Sequence, residues 1–385
     1  MRFNNDPYKK YNLYEFATRV TRKNKDNVSN LPLTISAQYG LVDQVSFFNK
    51  TVASKDMSGY YLLKNGEFAY NKSYSNDYPW GAIKRLDLYD MGCLSTLYIC
   101  FKTNDNIVNS NYLVHYFESS KWHKQVADIA GEGARNHGLL NIVVNDFFNT
   151  KHAVPTIENQ IKIAGFLDLI EKRIQTQIKI IDDCISYRNA IVDYYFESLS
   201  GNWKKVKLSN ILKEYSELHI KDDSIVHATL SKEGIFPKTD RYDRDFLVKD
   251  EDKKYKVTHL NDICYNPANL KFGVITRNTF GDCIISPIYI TFKIKSGFIP
   301  KFVELLVTRK QFISKARKYE QGTVYERMSV NSSDLLSMYV LIPSFSIQQK
   351  IVNIINNIDN KIFNEQKLLN LYKLQKVYLL KNMFI

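Results

Sequence analysis

The residues that invite a chemical reading come first. Glu251-Asp252-Lys253 has the E-x-K spelling of a metal-dependent nuclease, in which two carboxylates and a lysine converge on Mg²⁺. It lies in the run KDEDKKYK, whose charge density describes a solvated loop better. Asn266-Pro267-Ala268-Asn269 approaches the Asn/Asp-Pro-Pro-aromatic turn that holds the target amine of an amino-methyltransferase. It lacks the second proline and the aromatic residue, so it reads as a turn at the end of a strand. No G-x-x-x-x-G-K-[ST] run is present to cradle phosphates, which argues against ATP hydrolysis. The seven histidines (115, 123, 137, 152, 219, 227, 259) form no H-x-x-x-H pair, and surface or DNA-facing places are expected for them. The five cysteines (Cys93, Cys100, Cys184, Cys264, Cys283) include no C-x-x-C and suit small buried residues in a reducing cytosol.

What remains is a set of loops rich in basic, aromatic and amide side chains, the types that hold phosphates and read base edges. They occur in three pairs at matching points of the two halves. Ser36-Ala37-Gln38-Tyr39-Gly40 stands opposite Ser231-Lys232-Glu233-Gly234, and residues 71–80 stand opposite residues 266–272. Residues 133–138 stand opposite residues 322–327. The candidates for DNA contact are Gln38, Tyr39, Lys72, Tyr74, Asn76, Arg135, Asn136 and His137 in the first half. In the second half they are Lys232, Asn269, Lys271, Tyr325 and Arg327.

These loops need elements to hold them, and the elements are written twice. Residues 154–196 and 342–384 align without a gap at an offset of 188, sharing Pro155/Pro343, Gln160/Gln348, Lys162/Lys350, Ile163/Ile351 and Phe196/Phe384 among others. On a heptad, one copy places Ile163, Leu167, Ile170, Ile174, Gln177 and Ile181 along a seam; the other places Ile351, Ile355, Ile358, Ile362, Glu365 and Leu369 there. The polar exceptions coincide, Gln177 with Glu365 and Arg188 with Lys376. Each copy reads as one helix of about 40 residues, near 60 Å long, entered at its proline. A seam of that length needs a partner along its whole course, and the other copy supplies one. Antiparallel pairing would bring Gln177 and Glu365 together near the middle.

The repeat extends beyond the helices. KKYNLYEFATR (9–19) matches KKVKLSNILKE (204–214), GEFAYNKSY (66–74) matches NDICYNPAN (261–269), and CLSTLYICF (93–101) matches IISPIYITF (284–292). LNIVVNDFF (140–148) matches MSVNSSDLL (328–336) ahead of each proline. LYICF and IYITFKI predict strands, and residues 111–130 and 301–319 predict one helix each.

With 53 Lys+Arg against 40 Asp+Glu, the net charge of +13 favours a polyanionic partner. No apolar run approaches the length needed to span a bilayer, so no membrane role is expected and a cytoplasmic location is.

Pro155-x-x-x-x-Gln160-x-Lys162-Ile163 leading to Phe166-Leu167, with Pro343-x-x-x-x-Gln348-x-Lys350-Ile351 leading to Ile354-Ile355, resembles the specificity (S) subunit of type I restriction-modification systems. The resemblance covers the whole chain. Family members typically carry Glu before that Gln, where this chain has Asn159 and Ile347. The resemblance implies an α+β fold with two pseudo-twofold-related target recognition domains, each a twisted β-sheet plus helices, separated by two long antiparallel helices forming a coiled coil. The expected boundaries are 1–152 and 201–341 for the recognition domains, with 153–200 and 342–385 for the helices.

The resemblance further implies a non-catalytic subunit that reads a bipartite double-stranded DNA site. Two modification subunits would bring S-adenosylmethionine and adenine-N6 methylation, and restriction subunits would bring ATP- and Mg²⁺-dependent translocation and cleavage. This chain itself would bind no cofactor and no metal. The rivals are a basic coiled-coil scaffold that clamps protein partners and, through Glu251 and Lys253, a stand-alone nuclease.

Overall fold

The computed structural model describes residues 8–36, 39–75, 78–131, 138–220, 224–238, 254–321 and 328–384. The chain divides into two units, Met1–Lys179 with Gln366–Ile385, and Ile180–Glu365. Each unit takes part of both long helices, which run over Ile157–Glu197 and Phe345–Asn382 and contain 41 and 38 residues.

The first unit is organised around a four-stranded antiparallel sheet in the order Ala17–Arg19, Ile99–Thr103, Phe68–Asn71, Ala82–Arg85. The second has the same order in Leu212–Tyr215, Ile290–Ile294, Ile263–Tyr265, Ile275–Arg277. Register is kept as well as order. Phe68 pairs with Phe101 and Tyr70 with Ile99, while Ile263 pairs with Phe292 and Tyr265 with Ile290. A register slip of one residue would turn every one of these core side chains to the other face, so the match means the two halves pack the same positions.

Each unit closes with a strand pair that leads into a long helix: Lys9–Asn12 with Lys151–Val154, and Lys204–Lys207 with Tyr339–Ile342. The second layer differs. In the first unit it consists of two separate pairs, Leu33–Ser36 with Gly40–Asp43 and Tyr61–Lys64 with Met91–Leu94, joined by a single parallel bridge between Pro32 and Cys93. In the second it is one five-stranded sheet, whose corresponding parallel contact runs through Val226–Cys283 and His227–Ile284.

Within the first unit, Ile163 and Leu167 of the first long helix share a core with Leu380, Met383 and Phe384 of the second. Further along, Glu171 meets Lys376 and the Arg173 guanidinium lies 4.4 Å from the centre of the Tyr372 ring. As one helix ascends the other descends, so they run antiparallel. Within the second unit, Val192 and Phe196 share a core with Ile351, Val352 and Ile355, and Arg188 meets Asp359, in the same sense. Burying each such aliphatic or aromatic side chain contributes about 1.5–3 kcal/mol.

Two expected helices are each broken. Residues 111–130 form Ser110–Glu118 and His123–Ile129, because Ser119 leaves the helical conformation and its Oγ donates to Tyr116 O at 2.6 Å. Residues 301–319 form Pro300–Thr308 and Lys310–Ala316 with a short 3₁₀ turn after them. Here the break falls at Arg309, whose backbone is extended and whose guanidinium lies 4.5 Å from the centre of the Phe196 ring, beside Glu197.

The histidines also need correction. His115 and His152 are buried rather than surface groups. His152 is held between Tyr116 Oη at 2.9 Å and Thr150 Oγ1 at 2.8 Å, and burial pushes its pKa down to about 4, so it is a neutral core residue. Cys93, Cys100, Cys264 and Cys283 are buried, and Cys184 is half-buried.

Candidate nucleic-acid interface

The framework that holds the candidate loops begins with the two glutamines that the repeat keeps. Gln160 Oε1 accepts from Asn109 N at 2.7 Å, and its Nε2 donates to Pro155 O at 2.8 Å and Ile107 O at 3.2 Å. Gln348 Oε1 accepts from Ile299 N at 3.1 Å and its Nε2 donates to Pro343 O at 3.2 Å. Asn109 and Ile299 are the residues from which Ser110–Glu118 and Pro300–Thr308 start. A buried amide in each unit therefore ties the start of a long helix to the start of a shorter one packed on the sheet, satisfying backbone groups that would otherwise be orphaned.

The same correspondence appears in charge. Lys376 Nζ donates to Glu171 Oε2 at 2.7 Å in the first unit, and Arg188 Nε donates to Asp359 Oδ1 in the second. Arg188 matches Lys376 and Asp359 matches Glu171 at the offset of 188, so one ion pair is written twice. Burial opposes ionisation of Glu171, but bonds from Lys376 and Gln175 hold its carboxyl below the usual range. Asp359 also takes Lys301 at 3.3 Å. Glu171 and Asp359 carry the same sign at the same offset, so the repeat itself contains the signal for this pair.

Along the expected helix seam, Ile163, Leu167, Ile170, Ile174, Gln177, Ile181, Ile351 and Ile355 are buried, while Ile358, Ile362, Glu365 and Leu369 are half-buried. Gln177 falls in the first unit and Glu365 in the second.

The second candidate loop leaves and rejoins the sheet through matched posts. In the first unit the strand ends at Asn71, whose Oδ1 accepts from Ser73 N at 3.0 Å, and the chain returns at Gly81 with φ 76°. A Cβ at Gly81 would lie 2.2 Å from Asn71 O, so only glycine fits. In the second unit Asn266 Oδ1 accepts from Ala268 N at 3.1 Å and Asn269 N at 3.3 Å, and the return is Gly273 with φ 84°. Between these posts run residues 72–80 in one unit and the shorter 3₁₀ segment Pro267–Phe272 in the other. The turn expected at Asn266–Asn269 is the start of that segment.

The flank of the third loop lies against the second. Leu140 N donates to Lys72 O at 2.9 Å and Tyr74 N to Gly138 O at 3.2 Å. In the second unit Val330 N donates to Pro267 O at 3.2 Å and Tyr265 Oη to Val330 O at 3.0 Å. At the first loop the serine that leads into it accepts a backbone N–H on its Oγ: Ser36 from Tyr39 at 3.2 Å, and Ser231 from Glu233 at 3.1 Å. Its returning strand lies against Ala82–Arg85 in the first unit and against Ile275–Arg277 in the second. The structure thus brings the supports of all three loops to one neighbourhood within each unit.

Of the candidate contact residues, Tyr39 is 68% exposed, Tyr74, Lys232 and Lys271 are exposed, and Lys72 and Asn269 are half-buried. Lys232 Nζ lies 3.5 Å from the Glu233 carboxylate. Gln38, Asn76, Arg135, Asn136, His137, Tyr325 and Arg327 lie outside the described residues, as do Glu251, Asp252 and Lys253. Among the described residues no group of His, Cys, Asp and Glu could hold a metal ion, and no helix is long and apolar enough to cross a membrane.

No protein-family model matches the sequence, and no curated protein is similar to it in sequence. Solved structures are similar in fold. A chain from work on complex assembly and conformational transition of the type I R-M system superposes with a TM-score of 0.59 at 12% identity, over 97% of this chain and 96% of its own. The type I restriction-modification S subunit of M. genitalium superposes with a TM-score of 0.52 at 13% identity, over 99% and 97%. The chain has the fold of type I restriction-modification S subunits.

Proposed function

We propose that this chain is the DNA-specificity subunit of a type I restriction-modification complex, in which each unit reads one half of a bipartite double-stranded site. The observation that carries this reading is the second loop. Its posts, Asn71 with Gly81 and Asn266 with Gly273, are the same, and what stands between them differs in length and in side chains. A fixed frame with exchanged contents is what two reading heads for two different half-sites require. The net charge of +13 and the fold shared with solved S subunits support it.

The helices take two roles. Their length sets the distance between the half-sites. Their outer faces dock two modification subunits, and through them restriction subunits. Leu371, Leu374, Val377 and Tyr378 form an exposed apolar stripe on one face of the second long helix, and such a stripe fits a protein partner. The chain performs no chemistry. S-adenosylmethionine, ATP and Mg²⁺ belong to partner subunits, and the complex works in the cytoplasm.

Sequencing of methylated adenines in a host with and without this chain tests the reading. A two-part motif that disappears with the chain is expected; an unchanged methylome contradicts it. The DNA affinity of the complex should also fall with salt, by about 0.9 in log K per neutralised phosphate per log unit of salt. Flat affinity would leave a protein-clamping scaffold as the better reading.

A further inference from the structure

Both units place an aromatic residue immediately before the return glycine, Trp80 before Gly81 and Phe272 before Gly273, and they treat it in opposite ways. Trp80 packs against the aromatic core of its unit, and its carbonyl accepts from Tyr70 Oη at 2.7 Å. Phe272 is 66% exposed.

A single exposed apolar side chain is ordinary on a protein surface. What distinguishes Phe272 is how firmly its backbone is held out. The 3₁₀ segment Pro267–Phe272 is capped by the Asn266 side chain, and Leu270, two residues before Phe272, is fully buried in the core of the second unit. Gly273 N donates to Leu270 O at 2.8 Å, and its φ of 84° turns the chain at once into the strand Ile275–Arg277. The ring is therefore presented on a short, anchored stub. Beside it, Lys271 places its ammonium 5.2 Å from the ring centre.

An exposed aromatic ring with a cation over it sets a π-face and a positive charge side by side, which fits a ligand that has a π-face and an anion next to one another, as a nucleotide step in DNA does. We propose that Phe272 is a stacking wedge: its ring packs on or between bases of the half-site read by the second unit, while Lys271 neutralises the adjoining phosphate. At the matching position the first unit holds Trp80 partly buried against its aromatic core, so the residue before the return glycine is not presented in the same way there. This inference rests on the DNA-reading function proposed above. It adds that the two heads differ at this position, since Phe272 enters the stack at its half-site and Trp80 does not.

The test uses the full chain in complex with its modification subunits, on a duplex carrying the methylated motif, with 2-aminopurine placed at successive positions of each half-site. The half-site of the second unit is the one that survives exchange of residues 1–150. Apart from the target adenines, which methyltransferases extrude in either half-site, wild-type complex should raise 2-aminopurine fluorescence at one further step, in that half-site only. Phe272→Ala should weaken binding about tenfold and remove the rise, with an unchanged salt slope. Phe272→Trp should restore both. Lys271→Ala should keep the rise and reduce the salt slope by about one. Phe272→Ala binding as wild type with the same fluorescence overturns the wedge and leaves the DNA reading standing. Failure of the wild-type complex to bind any duplex selectively overturns the DNA reading, and the wedge with it.

Discussion

Leu62 N donates to Arg22 O in the first unit, and Val257 N donates to Glu217 O in the second, so Arg22 and Glu217 hold one place in the framework with opposite charge. Arg22 pairs with Glu67, whose Oε2 accepts from Lys64 N at 2.8 Å. Glu217 faces His259, whose ring nitrogens lie 3.0 Å from Glu217 and 3.0 Å from Asp282, while His259 N donates to Asp262 at 2.7 Å. The turn is the same, and the fixed cation of one unit is replaced by a titratable one in the other. A second exchange lies in the closing strands, where His152 stands in the place of Val340. The comparison teaches that strand register, buried amides and sheet core are held in common, whereas charge chemistry is free to reverse wherever the backbone frame survives without it.

His152 offers the largest way to break the likeness. Its folded pKa of about 4 lies below the ordinary 6.5, so between those values the unfolded chain binds a proton that the folded chain does not. Stability of the first unit should fall as pH drops from about 6.5 to 4, by up to about 3 kcal/mol from this group. Hydrogen exchange of the two units across that range checks it, and His152→Val should remove this part of the slope. An unaltered slope would show that other groups govern acid sensitivity.

The two glutamines come next. Gln160→Ala should cost the first unit about 2–3 kcal/mol, because it strands a buried carbonyl at Pro155 and partly buried backbone groups at Asn109 and Ile107. Gln348→Ala strands two such groups and should cost the second unit less, as chemical denaturation read by unit-specific probes would reveal. Equal losses would mean that the third bond carries nothing.

A double-mutant cycle on Glu171 and Lys376, repeated on Asp359 and Arg188, should give coupling of about 0.5–1 kcal/mol in each unit. Lys301, 3.3 Å from Asp359, shares the second pair's carboxylate, so Lys301→Ala should change the coupling there and leave that of the first pair as it was.

The smallest effect belongs to His259. Bonds to Glu217 lead the causes that raise its pKa, with Asp282 adding to them and burial opposing. Stability it lends is present in full below pH 6.5 and is lost as pH rises through the raised value. The titratable and charged neighbours are Glu217, Asp282, Asp262 and Tyr215, with Lys293 over the Tyr215 ring. Solvent screening keeps the contribution below about 1 kcal/mol, and His259→Gln should remove the dependence. Carbon-detected NMR titration of the imidazole gives the sign directly.

Much of the fold was legible because duplication doubles every signal. Two proline-led segments with coincident polar positions gave both long helices, and LYICF and IYITFKI gave the strands Ile99–Thr103 and Ile290–Ile294. The helix breaks at Ser119 and Arg309 were not legible. One depends on a hydroxyl competing for a backbone carbonyl, the other on a guanidinium reaching residues more than a hundred positions away. The pairing of Arg188 with Asp359 and of Lys376 with Glu171 depends on the antiparallel course of the helices, which no single segment encodes. Of the candidate interface, Asn71 and Asn266 stand at matching places in the repeat, whereas the return glycines Gly81 and Gly273 fall outside the matched segments. The outward turn of Phe272 and the inward turn of Trp80 depend on what each packs against, which local sequence does not specify.

Exchange of residues 1–150 for the corresponding region of another S-subunit-like chain, followed by methylome sequencing, tests most directly whether one frame carries two independent reading heads. One half of the methylated motif should change while the other half and the spacer stay as they were. A change in both halves, or in neither, would contradict it.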